Sequence, residues 1–185
     1  MTDPVLLLID MQRGFADSAY WGRRNNPGAE EGMLALAHRW QQEGRPIVLS
    51  RHDSVQPGSP LRPGQDGNLL RPELDGIRPE LLVTKKVNSA FLGDADLNAW
   101  LKERGVTELV LAGIQTNMCV ETTARMAGNL GYRTTVALDA TFTFDLTGPD
   151  GSVIPAERLA EVTAANLHGG GFAAVRTVGN ILGTA

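Results

Sequence analysis

Three kinds of side chain in this protein are suited to covalent chemistry, and each follows a short apolar run. Asp10 ends the run Val5–Ile9, the pair Lys85-Lys86 ends Leu81-Leu82-Val83-Thr84, and Cys119, the only cysteine, lies shortly beyond Leu109-Val110-Leu111-Ala112. A thiolate is a strong nucleophile, a carboxylate can take the thiol proton and return it to a leaving amine, and a nearby ammonium favours the anionic sulfur. An acid, a cation and a thiol therefore make a nucleophilic site that needs no histidine. At this level either lysine could be the cation. Lysine is unusual at the end of a buried strand, so at least one of the pair should turn inward, and the other can remain solvated.

For these groups to meet, their runs must be strands of one sheet. Gly113 closes the run before the cysteine, and Ala124, Ala127 and Leu130 then recur as the apolar face of a helix that Thr116 or Asn117 can cap and Gly131 can stop. Cys119 falls in the first turn of that helix, where the free N–H groups and the helix dipole are expected to lower the thiol pKa. Met33, Leu34, Leu36, Ala37 and Trp40 recur at helical spacing between Gly28 and Glu43, with a strand at 46–49 after them. Further on, the pattern predicts helices over 95–104 and 155–167 and strands over 132–138 and 172–175. Alternating strands and helices give an α/β fold: a three-layer, doubly wound (Rossmann-like) sheet, mostly parallel, of about six strands with helices on both faces. Ligands of such sheets bind beyond the carboxyl ends of the strands, where Asp10, the lysine pair and Cys119 all fall.

Two irregular segments should border the site. Residues 16–27 are polar with two aromatics, of which Trp21 is a candidate pocket wall, and residues 54–79 are rich in proline and glycine, as expected of a long ordered loop. His52 and Asp53 follow the second strand and stand at the edge of the site, whereas His38 lies on a helix as a surface or packing residue. Catalytic zinc takes three protein ligands, and neither an HExxH nor a CxxC pattern occurs, so no metal is expected. The triple glycine at 169–171 precedes a strand, where a dinucleotide fingerprint would follow one, so no cofactor is expected either.

Bulk properties bound the partners. A chain of 185 residues suits one domain, 1–185, and its 42% apolar and 21% charged residues are ordinary for a globular protein. No apolar run approaches the ~20 residues that span a bilayer. The N-terminus has no basic leader and a lone cysteine allows no internal disulfide, which together point to a cytoplasmic protein. A net charge of -4 gives no reason to expect nucleic acid as a partner, so a small molecule is expected instead.

Taken together, LLLIDMQRGF at the first strand, TKKVNSAF at the third and GIQTNMCVETTARMAGNLGY around the cysteine resemble, in order and spacing, the isochorismatase-like cysteine hydrolases, which include nicotinamidases and N-carbamoylsarcosine amidases. The resemblance covers nearly the whole chain. It implies a doubly wound parallel sheet, a homodimer or higher homo-oligomer, and a catalytic triad of Asp10, Lys85 and Cys119; Lys85 is the lysine that matches, because Ser89 stands four residues beyond it. It also implies a cis peptide between Ile114 and Gln115, with the N–H groups of Gln115 and Cys119 forming an oxyanion hole. Phe15, Trp21, Asn88, Phe91 and Phe142 are the candidate pocket walls and suit a small, partly flat or apolar acyl group. The metal-binding cluster of nicotinamidases, an aspartate and several histidines after the second strand, is reduced here to Arg51-His52-Asp53, which favours a metal-free amidase, carbamoyl-amidase or lactam hydrolase.

Three other readings use the same residues. Isochorismatases cleave a vinyl ether by protonation from the aspartate without needing the cysteine. A signalling receiver domain also pairs a strand-end aspartate with a strand-end lysine, but it needs an acidic pair at the first strand where Ile9-Asp10-Met11 has one carboxylate. A catalytically idle family member would serve as a binding protein, with a cysteine no more reactive than a free peptide thiol.

Overall fold

The computed structural model describes residues 3–184. In chain order its strands and helices are β1 (Val5–Ile9), α1 (Ser18–Trp21), α2 (Ala29–Gln42), β2 (Ile47–His52), β3 (Leu81–Lys85), α3 (Leu97–Glu103), β4 (Glu108–Ile114), α4 (Glu121–Asn129), β5 (Arg133–Phe142), β6 (Leu146–Thr147), β7 (Val153–Ile154), α5 (Ala156–Gly169), β8 (Ala174–Arg176) and α6 (Val178–Leu182). β1 is buried at all five positions, as a central parallel strand covered on both faces must be. Six strands form one parallel sheet in the order β3-β2-β1-β4-β5-β8, while β6 and β7 make a separate antiparallel hairpin.

Helices cover both faces. Met33, Leu36 and Trp40 of α2 and Val178 and Ile181 of α6 pack with Leu6, Leu8 and Leu49 on one side. Leu97 and Leu101 of α3, Ala124 and Ala127 of α4 and Leu167 of α5 pack with Leu7, Val48 and Leu111 on the other. The chain winds outward from β1 to β3, returns to the middle at β4, and winds the opposite way to β8. The switch point therefore lies between β1 and β4, whose carboxyl ends lead to Asp10 and Cys119. Gly113 is required there: at its φ of 133° a Cβ would lie 2.1 Å from the Ile9 carbonyl oxygen.

The expected elements are present, with shifted ends and four local differences. β5 continues to Phe142 across a break in register between Leu111 and Gly113 of its neighbour β4. The helix after β4 begins with a wide π turn, Thr116–Val120, in which the N–H groups of Met118 and Val120 both bond the Gln115 carbonyl. Neither predicted cap acts as one: Thr116 bonds the Thr141 hydroxyl and Asn117 that of Thr143, which tie the turn to β5. Leu130, expected on the apolar face, is 41% exposed at the end of α4.

Candidate active site

Asp10 has φ of 54°, a left-handed conformation that an aspartate tolerates better than most residues. Its N–H bonds the Ser50 carbonyl and its own carbonyl accepts from Gln12 N–H at 2.7 Å, so the chain turns sharply as it leaves β1. This turn directs the carboxylate across β2, where the Ser50 hydroxyl donates to Oδ1 at 2.7 Å. Oδ2 accepts from Lys85 Nζ at 2.6 Å, and both side chains of this ion pair are fully buried. Lys86 is exposed, so Lys85 is the lysine that turns inward.

Cys119 stands in the π turn with Sγ 3.2 Å from Lys85 Nζ. Asn88 is a further polar neighbour, its Oδ1 3.9 Å from Sγ. Burial, then the charge of Asp10, push the thiol up to about 12, against the opposing pull of Lys85. This corrects the expectation of a lowered thiol pKa: the sulfur is buried beside a carboxylate, and that environment outweighs the turn's N–H groups. Burial alone would push the Lys85 ammonium down, but Asp10 and Cys119 outweigh it and hold it above its ordinary 10.5. The resting site thus holds a carboxylate, an ammonium and a neutral thiol.

His52 reaches the same ammonium, its Nδ1 lying 3.4 Å from Lys85 Nζ. Burial, then the charge of Lys85, hold the ring below its ordinary 6.5 against the pull of Asp10 and Asp53, so it is neutral at neutral pH. The neighbouring Asp53 turns away: its oxygens accept from Arg51 at 3.0 and 3.3 Å and from Asn68 at 2.9 Å. Ligating atoms of Asp10, His52 and Cys119 do lie within 4.8 Å of one another. Lys85 Nζ already stands in contact with all three, however, and Asp53 is occupied, so these residues do not fit the metal cluster of nicotinamidases.

A cavity of about 500 Å³ opens over the sulfur, with Cys119, Gln115, Met118, Asn88 and His52 at its inner end. One wall is aromatic. Trp21 stacks between Phe15 and Phe144 at centroid distances of 5.0 and 5.2 Å, and its indole N–H donates to the Gly14 carbonyl. The loop 54–79 forms another wall with Ser54, Gln56, Ser59 and Leu61. It folds back on its own chain, where Asn68 bonds the carbonyls of His52 and Leu61 and Gln12 bonds those of His52 and Asn68. At the rim, Arg23 holds the carboxylates of both Asp145 and Glu157.

Of the predicted residues, Asp10, Lys85 and Cys119 come together, with Gln115, Asn88, Phe15 and Trp21 around the cavity above them. The Ile114–Gln115 peptide is cis. Two expected walls are elsewhere. Phe91 stacks on Tyr132 and lines a separate surface hollow with residues of α3 and α4. Phe142 is fully buried one layer behind the wall, edge-on to Phe144 and beneath the Arg24 guanidinium at 3.5 Å. The position it was expected to fill belongs to Phe144; the alternation Thr141-Phe142-Thr143-Phe144 puts both rings on one side of an extended chain and does not say which of them lies nearer the cavity.

Among known proteins, residues 4–166 match the family model described as the Isochorismatase domain. An isochorismatase-family protein from Chromobacterium violaceum has a solved structure that superposes with a TM-score of 0.91 at 42% identity, over 98% of this chain and 93% of that one. The isochorismatase family protein YrdC of Bacillus subtilis is 34% identical over 163 residues, 88% of this chain and 86% of that protein. Nicotinamidase 3 of Arabidopsis thaliana is 30% identical over 175 residues, 88% of this chain and 79% of that protein.

Proposed function

This chain belongs to the isochorismatase family of hydrolases, and from that premise we propose that it is a single-domain, cysteine-dependent hydrolase of a small-molecule C–N bond (amide, carbamoyl or lactam) that works through a thioester acyl-enzyme. The observation that carries the proposal is the buried ammonium of Lys85, 2.6 Å from Asp10 and 3.2 Å from the sulfur of Cys119, which itself lines an open cavity. Support for an amide substrate comes also from the 30% identical relative named as a nicotinamidase.

Cys119 Sγ attacks the carbonyl carbon and the S–C bond forms as the thiol proton passes to Asp10. A thiol held up to about 12 carries almost no thiolate at rest, so proton transfer has to accompany attack. Lys85 keeps its protons throughout. Its electrostatic pull shifts from the carboxylate, which becomes neutral, to the sulfur as negative charge develops there. The carbonyl oxygen becomes an oxyanion facing the N–H groups of Gln115 and Cys119, and one such donor is typically worth roughly 100- to 1000-fold in rate. Collapse breaks the C–N bond, and the amine departs with the proton from Asp10. Water then attacks the thioester, gives its proton to Asp10 and releases the acid, and the sulfur recovers the proton as the C–S bond breaks.

Charge favours this chemistry over vinyl-ether cleavage of isochorismate, which carries two carboxylates. No lysine or arginine is among the residues lining the cavity, and the rim holds one guanidinium between two carboxylates. The test is ammonia or amine release from a panel of primary amides, N-carbamoyl amino acids and cyclic amides. Turnover should vanish in Cys119→Ala and persist with a chelator. Substantial activity in Cys119→Ala, or isochorismate cleaved equally by both proteins, would sink the mechanism.

A further inference from the structure

An ammonium has three N–H donors, and the buried Lys85 faces three acceptors: Asp10 Oδ2 at 2.6 Å, Cys119 Sγ at 3.2 Å and His52 Nδ1 at 3.4 Å. Two of these belong to the proposed triad. The third is assigned to nothing, and it cannot be a bystander, because a fully buried cation leaves none of its hydrogens to water. His52 is itself fixed from several sides. Its backbone N–H bonds Gln12 Oε1 at 2.8 Å and its carbonyl accepts from Gln12 and Asn68. It pairs with Lys85 across neighbouring strands, so the two side chains leave the sheet on the same face. With Nδ1 turned to an ammonium, the ring hydrogen belongs on Nε2.

We propose that His52 is a positioning residue for Lys85: as a neutral imidazole it accepts the third ammonium hydrogen and pins Nζ between Asp10 and Cys119. The charged and titratable groups around the ring are Lys85, Asp10, Cys119 and Asp53, the last paired with Arg51. A protonated ring would set a second cation 3.4 Å from the first and turn a donor where the acceptor is needed. Two hydrogen bonds alone leave Nζ free to swing about its Cε. In the proposed reaction Asp10 becomes neutral at the moment sulfur becomes negative, so its hold on Nζ weakens just when the contact with sulfur matters. The His52 contact does not change through those steps, which suits it to keep Nζ in place.

The inference rests on the proposed mechanism for its meaning in turnover, yet it can be tested on the thiol without any substrate. The experiment compares His52→Leu, which removes the acceptor, with His52→Asn, whose Oδ1 can stand close to the position of Nδ1. Each is assayed for the second-order rate of Cys119 alkylation by iodoacetamide at pH 7.5, with folding checked by circular dichroism. Loss of a hydrogen bond to a charged group corresponds to a fall of about 10- to 100-fold for His52→Leu, with most of the rate restored in His52→Asn. With an amide substrate from the panel, the same pattern should appear in kcat while KM stays near its wild-type value. An unchanged alkylation rate in folded His52→Leu would overturn the proposal. So would equal damage in the two variants, because a residue that merely fills space is not rescued by an acceptor atom. If no amide is turned over but the alkylation pattern holds, the amide mechanism fails and the positioning role stands.

Discussion

Asp10 and Lys85 form an ion pair with both side chains fully buried, and this makes a double-mutant cycle unusually informative. In Asp10→Asn the ammonium loses its one charged partner and keeps a sulfur, an imidazole nitrogen and a neutral amide oxygen. In Lys85→Met the carboxylate keeps the Ser50 hydroxyl but no cation. Breaking a buried pair by removing one partner costs about 3–5 kcal/mol. Either variant should therefore remain folded if the protein has a typical total of about 5–15 kcal/mol, but with a clearly lower urea midpoint. The double variant Asp10→Asn/Lys85→Met buries no charge, its amide can still accept from Ser50, and the thioether occupies the lysine stem's space. It should cost no more than either single change, which gives a coupling of about 3 kcal/mol or more. The sign of the pH dependence also follows. Lys85 is raised in the folded state, so its contribution is fully present below the ordinary 10.5 and is lost only as pH rises through the higher folded value. The coupling should hence be flat between pH 6 and 9. Urea unfolding of the four proteins, followed by tryptophan fluorescence, measures it; costs that simply add would refute a charge-balanced pair and with it the electrostatic frame of the mechanism.

Other consequences are quicker to check. Gly113→Ala would drive a Cβ to within 2.1 Å of the Ile9 carbonyl oxygen and 2.7 Å of its nitrogen at a positive φ, so a loss of about 4 kcal/mol or more is expected in urea; a loss below about 1 kcal/mol would contradict the strand contact. Because the Cys119 thiol is held up to about 12, its alkylation rate in the wild type should still be rising at pH 10, where a free peptide thiol has levelled off. His52 is held below its ordinary 6.5, so the unfolded chain takes up that proton first on acidification and stability falls as pH drops from 6.5 through the folded value. His52→Asn should flatten that part of the urea-midpoint profile, and an unaltered slope would show the ring to be freely protonated. Phe144→Leu, which opens the aromatic wall, should raise KM for a ring-bearing amide about tenfold with kcat little changed.

What the sequence made legible follows from the kind of physics each feature rests on. The parallel sheet could be read because β1, β3 and β4 are written as short unbroken apolar runs, and the three strand-end groups because strand ends converge in a doubly wound sheet whatever its side chains. The raised thiol pKa could not be read. A helix start favours a thiolate, and only the structure shows Cys119 buried beside a carboxylate, an effect of packing between distant segments. Phe91 and Phe142 failed as wall residues for a similar reason. Aromatics near a site in sequence carry no sign of which layer they occupy, and Phe142 and Phe144 differ by one layer although both lie on the same side of the chain.

His52 marks the boundary between the two kinds of knowledge. As one histidine next to one aspartate it resembled a depleted metal site, because proximity in sequence pairs it with Asp53. In the fold its partner is Lys85, thirty-three positions away and opposite it in the register of β2 and β3. Strand register is a property of the whole sheet: slipping β3 by one residue would send the ammonium to the other face and leave Asp10 and His52 without it. A substitution far from the cavity that perturbs the β2–β3 pairing should therefore damage turnover through Nζ while leaving the cavity walls intact. Val83→Asp, which buries a carboxylate two residues before Lys85 on the same face, is the sharpest such change. It should lower kcat and Cys119 alkylation together while ligand affinity stays near its wild-type value, and a selective loss of ligand affinity instead would mean that register and chemistry are not linked in this way.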